Sequence, residues 1–318
     1  MTRVDVEPLD ELDRALLARL RVDGRETNRS LANALGINEI TVAARIRRME
    51  ECDVMRVVAV TDMRVFGHRE FAFAALNVSE RPALQIAADV AALPESISVT
   101  ITTGRHDLIV PILGRDRTHL AELLGVTLAG IPGVDQVRGY PVLDVLRFDS
   151  DWGLLSVDPG TAPTARPSDT ADELDLAIID NLQVDARRSN RSIAAELDIS
   201  EGTVRSRIKR LLADNVIRIQ AVSDISQFGI GAYAFVGITV RDGRFDEAAG
   251  ALLARADLPQ LSRTLGEFDF IATAFAPTRA ALLSALLNEI ALLPGIRRIE
   301  TFEAFTTTKH TYLWSWVV

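Results

Sequence analysis

Two short segments carry residue types that could grip and read a polyanion. At 200–210 the chain reads Ser200-Glu201-Gly202-Thr203-Val204-Arg205-Ser206-Arg207-Ile208-Lys209-Arg210, and at 38–48 it reads Asn38-Glu39-Ile40-Thr41-Val42-Ala43-Ala44-Arg45-Ile46-Arg47-Arg48. Val204, Ile208 and Leu211, like Val42, Ile46 and Met49, recur at helical spacing and give each segment one apolar stripe. At 100° per residue, Ile40, Ala44 and Arg47 lie farthest from the stripe in one segment, and Gly202, Ser206 and Lys209 in the other. Thr41, Arg47 and Arg48, with Thr203, Arg205, Ser206, Lys209 and Arg210, therefore stand where a helix could offer hydroxyls and cations to phosphates and base edges. Arg45 and Arg207 sit nearer the apolar side, which suits phosphate or interdomain contacts better than base reading. Asn38 and Ser200 are good N-cap residues, Glu39 and Glu201 follow in the first turn, where negative charge is favoured, and all four count among the candidate DNA-binding residues at the start of these helices. A merely solvated cationic face is the lesser alternative, and it stays open.

A second pair of segments is Gly104-Arg105-His106-Asp107 and Gly266-Glu267-Phe268-Asp269. Glycine permits a tight turn, and aspartate can accept backbone or ligand N–H groups. On spacing alone a plain hairpin turn explains these segments better than a binding loop does. The histidines His68, His106, His119 and His310 are scattered without metal-ligand spacing and read as surface or packing residues.

These segments belong to a tandem duplication. With a shift of 162 positions, 29 of the 67 residues from 12 to 78 are identical without a gap. Each half is too long to be a solenoid unit and must be a complete module. In each, three short helices precede a switch to β patterning: Leu12, Leu16 and Leu20, then Leu31, Ala32 and Leu35 behind Thr27, then the cationic segment, with a brief turn before it. That is a helix-turn-helix. Strands at Val54–Val60, Phe71–Leu76 and around the Gly-x-x-Asp loops, helices near 83–93 and 118–131, and a last strand from Val134 follow, and the second half repeats the order. Strand, helix, strand, strand, helix, strand implies an antiparallel sheet with two helices on one face, whose bare face the other half would cover.

The fold class expected is α+β, with two winged-helix-like helix-turn-helix domains and two ferredoxin-like βαββαβ sandwiches. Domains are expected at 1–56, 57–150, 172–218 and 219–318, with 151–171, which contains Asp158-Pro159-Gly160 and Pro163, as a mobile linker.

With 44 acidic against 35 basic residues the net charge is −9, which argues against indiscriminate polyanion binding but not against a local cationic contact. Residues 187–212 hold seven basic and three acidic side chains, and 25–50 five and three, so the second helix-turn-helix is expected to carry more of any DNA affinity. Cys52 is the single cysteine, which excludes an internal disulfide and a cysteine-rich zinc site. No apolar run has membrane-spanning length and the N-terminus does not read as a signal peptide, so no membrane partner and a cytoplasmic location are expected.

The run Leu174-Asp175, Asp185-Ala186-Arg187, Ser192-Ile193-Ala194, Leu197-Asp198-Ile199-Ser200, Thr203 to Ile208 and Asn215-Val216-Ile217 resembles the Lrp/AsnC family of regulators, and the first half does so from Leu12-Asp13 to Val54. The resemblance implies double-stranded DNA and a small-molecule effector, typically an amino acid, as partners. It implies Gly104, Arg105, His106, Asp107, Gly266, Glu267, Phe268 and Asp269 as effector-site candidates and no cofactor. It also implies a non-enzymatic regulator that assembles as an oligomer, here of pseudo-dimers within one chain. Unlike reading heads suit an asymmetric operator. Siroheme decarboxylases resemble the same architecture, but Ser98–Thr103 and Ser262–Leu265 lack the His-Tyr-x-Arg cluster expected of them. An architectural DNA-binding protein without an effector is the third reading.

Overall fold

The computed structural model describes residues 9–149, 151–155 and 171–315, so most of the expected linker, 156–170, lies outside the described residues. The first half contains α1 (Glu11–Val22), α2 (Asn28–Leu35), α3 (Glu39–Glu51), β1 (Met55–Asp62), β2 (Glu70–Val78), α4 (Ala83–Ala91), β3 (Ser98–Thr103), β4 (Leu108–Gly114), α5 (Arg117–Glu122), β5 (Val134–Phe148) and β6 (Trp152–Gly153). The second repeats it as α6 (Glu173–Val184), α7 (Asn190–Glu196), α8 (Glu201–Ala213), β7 (Ile217–Asp224), β8 (Ala232–Val240), α9 (Phe245–Leu253), β9 (Gln260–Thr264), β10 (Phe270–Ala276), α10 (Arg279–Ser284), β11 (Ile296–His310) and β12 (Trp314–Ser315). Helices α5 and α10 each run on into a π-helical turn, at Leu123–Thr127 and Ala285–Glu289, which the periodicity of the sequence did not distinguish from α-helix.

Local chemistry accounts for the helix starts. Asp10 and Asp13 form a capping box on α1, and Asp172 and Asp175 repeat it on α6. Thr27, Asn38, Ser189 and Ser200 each accept the N–H three residues on. Each such cap contributes about 1 kcal/mol.

The two halves are interleaved rather than juxtaposed. Strand β1 pairs antiparallel with β7, from Met55 opposite Ser223 to Thr61 opposite Ile217, and Val58 faces its own duplicate, Gln220. The short β6 and β12 extend this sheet, so the segment read as a linker begins inside it. The other eight strands close into a barrel in the order β10-β8-β11-β3-β4-β2-β5-β9. The fifteen-residue strands β5 and β11, about 50 Å long at about 3.3 Å per residue, outrun their own sheets. Strand β5 passes from β2 to β9, and β11 from β8 to β3.

Side-chain alternation explains how both strand faces are buried. Ala72 and Ala74 lie under α4 and α5 with Ile86 and Val90, while Phe71 and Phe73 point to the opposite face. There Phe73 meets its duplicate Phe235 edge to face at 6.3 Å, on the pseudo-two-fold axis. Each long strand also delivers a cation to the far half. Arg147 donates to the carbonyl of Leu258 at 3.2 Å and to those of Leu253 and Arg255 at the end of α9, and its duplicate Lys309, 2% exposed, donates to Leu93 beyond α4 at 2.9 Å. Positive charge at a helix C-terminus complements the helix dipole.

Candidate DNA-reading helices and ligand sites

Helices α3 and α8 sort their cations into two groups. Arg45 donates to Asp10 at 2.6 Å and Asp13 at 2.9 Å, and Arg48 pairs with Asp13 as well. Arg207 pairs with Asp172 and with Asp175 at 3.0 Å, and Arg210 with Asp175. Asp13 and Asp175 are fully buried, so these four arginines tie the third helix to the first. The Arg207 guanidinium, then the Asp175 N–H, hold the Asp172 carboxyl down at about 2. The Asp13 N–H and then Arg45 lower that of Asp10.

The second group is free to reach outward. Arg47 and Lys209 are exposed and make no hydrogen bond or ion pair with any described residue. Arg205, also exposed, bonds Glu201 one turn back at 2.7 Å. Ser206 donates to the Thr203 carbonyl at 3.0 Å, and the Asn38 and Ser200 side chains are occupied as caps with Thr41 and Thr203. Glu39 and Glu201 sit exposed in the first turns, and Ile40 is 82% exposed.

Reciprocal arginines fix the two heads to each other. Arg25 donates to the carbonyls of Ala186 and Arg188, both at 2.7 Å, and to Asn190 Oδ1 at 2.9 Å. Its duplicate Arg187 answers on Gly24, Glu26 and Asn28. The Gly24 and Ala186 N–H groups complete the exchange, bonding Ile219 and Val57 on the opposite linking strands. The sequence contained these arginines, but nothing local marked them as partners 162 residues apart.

The two Gly-x-x-Asp loops meet. Gly104 and Gly266 adopt φ of +129° and +127°, where a side chain is strained. Asp107 accepts the Val78 N–H at 2.9 Å and Asp269 the Val240 N–H at 2.8 Å, so both carboxylates end the neighbouring strand. Arg105 pairs with Glu267 at 2.7 Å and with Glu300 at 2.8 Å, and Arg138 reaches Glu267 at 3.1 Å. Arg105 lowers the Glu267 carboxyl. His106 and Phe268 are each 1% exposed and pack inward, with Phe268 5.1 Å from the Tyr140 ring. Burial, then Arg105 and Arg138, lower the His106 imidazole; its Nδ1 lies 3.0 Å from Asn77 Oδ1. Two cations and two carboxylates thus ring the loops, a set that could answer both charges of a zwitterion.

A separate cavity of about 120 Å³ lies within the barrel, bordered by Trp152 of β6 and by Tyr312. His310 borders it, its Nδ1 accepting the Leu154 N–H at 3.2 Å; burial pushes its imidazole down to about 4, against the pull of Asp224. Tyr233 bonds Thr307 and lies 3.3 Å from Thr100, and Thr273 donates to Gln260 at 3.1 Å. Trp152 gives its Nε1 proton to Asp149 at 2.8 Å and carries the Arg21 guanidinium of α1 4.3 Å from its ring centre. The sequence reading missed this site. Only a residue-by-residue comparison of inward-facing strand positions between the duplicates could have drawn attention to it.

Among the described residues no cluster of three or more potential metal ligands occurs, and no helix is long and apolar enough to cross a membrane.

Comparison with known proteins agrees with this architecture. The AsnC-type helix-turn-helix domain matches residues 9–50 and 172–212, and the Lrp/AsnC ligand binding domain matches 72–150 and 233–314. The HTH-type transcriptional regulator FL11 of Pyrococcus horikoshii is 31% identical over 137 residues, 43% of this chain and 90% of that protein. The HTH-type transcriptional regulator Ptr1 of Methanocaldococcus jannaschii is 35% identical over 120 residues, 37% of this chain and 81% of its own. Among solved structures, the siroheme decarboxylase NirDL superposes with a TM-score of 0.68 at 16% identity, covering 94% of this chain and 93% of that one, a likeness of fold. Two helix-turn-helix domains and two ligand-binding domains, matched in tandem and interleaved about a pseudo-two-fold axis, place this chain in the Lrp/AsnC family.

Proposed function

We propose that the protein is a sequence-specific DNA-binding transcriptional regulator that reads an asymmetric operator under the control of a small-molecule effector, an amino acid bound at the Gly-x-x-Asp loops. The observation that carries the reading is the pair of docked heads with unequal outward faces, Arg47 with Ile40 on one and Arg205, Ser206 and Lys209 on the other. Polar side chains can discriminate base edges, whereas Ile40 can only touch apolar groups such as thymine methyls. In this reading Arg45, Arg48, Arg207 and Arg210 hold each head in shape, and the second head supplies most of the affinity. The regulators FL11 and Ptr1 support DNA binding by likeness.

The test is titration of the chain's own upstream DNA fragment at several salt concentrations, followed by selection of sites from random DNA. Arg205→Ala or Lys209→Ala is expected to weaken binding more than Arg47→Ala and to lower the salt slope by about 1. A strict inverted repeat from the selection would contradict asymmetric reading, and no salt-sensitive binding would contradict the function. An enzymatic role like that named for NirDL would then show as a spectral shift on adding siroheme.

A further inference from the structure

The cavity within the barrel sits on the pseudo-two-fold axis, so duplicated positions border it in pairs. Three of these pairs differ in the same sense. Phe71 corresponds to Tyr233, Phe148 to His310 and Pro111 to Thr273, with the apolar member in the first half and the hydrogen-bonding member in the second. Ser98 and Gln260 continue the trend with a short and a long polar side chain. A dimer of identical copies would repeat every residue across the axis. Only a fused chain can set an apolar residue at one of two duplicated positions and a hydrogen-bonding residue at the other.

Size and charge narrow what such a space can hold. A wholly apolar cavity of about 150 Å³ engineered into a protein core binds benzene, so this one is of single-ring size. A tetrapyrrole is far larger. Among the described residues no lysine or arginine borders the cavity. Its single carboxylate, Asp149, already accepts the Asp151 N–H at 3.0 Å and the Trp152 indole proton. A buried carboxylate or zwitterion would therefore lack a cation, at a cost of several kcal/mol or more. The Nδ1 of His310 is taken by the Leu154 N–H, which leaves the proton of the neutral ring on Nε2 as a donor.

We propose that this cavity is a second ligand site, apart from the Gly-x-x-Asp loops, which takes one neutral aromatic molecule of roughly six to nine non-hydrogen atoms with a single hydroxyl or N–H group. Its ring lies among Phe71, Phe73 and Phe148, and its polar group donates to Gln260 Oε1, carried by β9, and accepts from His310, carried by β11 onto the wall of β3. The site stands or falls independently of DNA binding, because its test reads occupancy alone.

The experiment is calorimetric and ligand-observed NMR titration of the full chain with phenol, toluene and benzoate. Phenol is expected to bind once per chain, toluene at least tenfold more weakly, and benzoate not at all over the same range. His310→Phe, which installs the side chain already present at 148, and Gln260→Leu should each bring phenol down to the level of toluene. Ser98→Leu should fill the space and abolish both. Glu267→Gln, at the loops, should leave phenol binding within twofold. No binding of phenol at millimolar concentration, equal binding of benzoate, or full phenol affinity in His310→Phe and Gln260→Leu would overturn the proposal. Should Ser98→Leu fail to fold, the other two variants decide.

Discussion

Arg105 forms an ion pair with its own duplicate, Glu267, at 2.7 Å, because the two positions lie 162 residues apart and meet at the pseudo-two-fold axis. Two identical copies would place like charges there. Unlike residues at these duplicated positions attract where identical charges would repel, and both side chains remain about one-third exposed.

Charge reversal tests that relationship. Glu267→Arg is expected to lower stability by about 1 kcal/mol, since an exposed pair contributes up to about 1 kcal/mol and like charges cost a similar amount. Arg105→Glu should do the same. The double exchange, Arg105→Glu with Glu267→Arg, should recover much of the loss in thermal melts at low salt. An additive double variant would show that the pair does not couple the loops.

Stability should separate the arginines of α8 by role. Arg207→Ala leaves the fully buried Asp175 with Arg210 as its remaining ion-pair partner and is expected to cost about 1–3 kcal/mol in denaturant unfolding. Arg205→Ala, whose partner is exposed, should stay within about 0.5 kcal/mol of the parent. Equal losses would mean that the buried carboxylate does not organise the head.

Stability should also fall as pH drops from about 6.5 toward 4. The His310 imidazole is held down to about 4 in the folded chain, so over that window the unfolded chain takes up a proton that the folded chain refuses. The loss is up to about 3 kcal/mol, complete near pH 4 and absent above the ordinary histidine range. His106, lowered by burial and by Arg105 and Arg138, acts in the same direction. His310→Phe should flatten most of the slope in melts between pH 7 and 4. An unchanged slope would assign it to other groups.

Much of the architecture was legible from local pattern. The N-caps Thr27, Asn38, Ser189 and Ser200, the stripes on α3 and α8, and the strand, helix, strand, strand, helix, strand order all rest on chemistry within a few residues. The bare sheet faces were also implied, and they meet inside the chain. Site chemistry was less legible. Arg45 and Arg207 were placed near the core side by helical phase alone, yet that phase could not reveal Asp13 and Asp175 as their partners, nor that Arg48 and Arg210 share them.

The sequence by itself determined the duplication, the helix-turn-helix units and the sandwich patterning, because periodicity, capping and identity at a fixed offset are local or self-referential properties. Tertiary structure alone decided which cations remain free, which loops touch and where a cavity opens. Those outcomes depend on strands β1 with β7, β5 with β9 and β11 with β3 finding one register across the chain. A shift of one residue in any of them would turn every side chain on that strand to the opposite face.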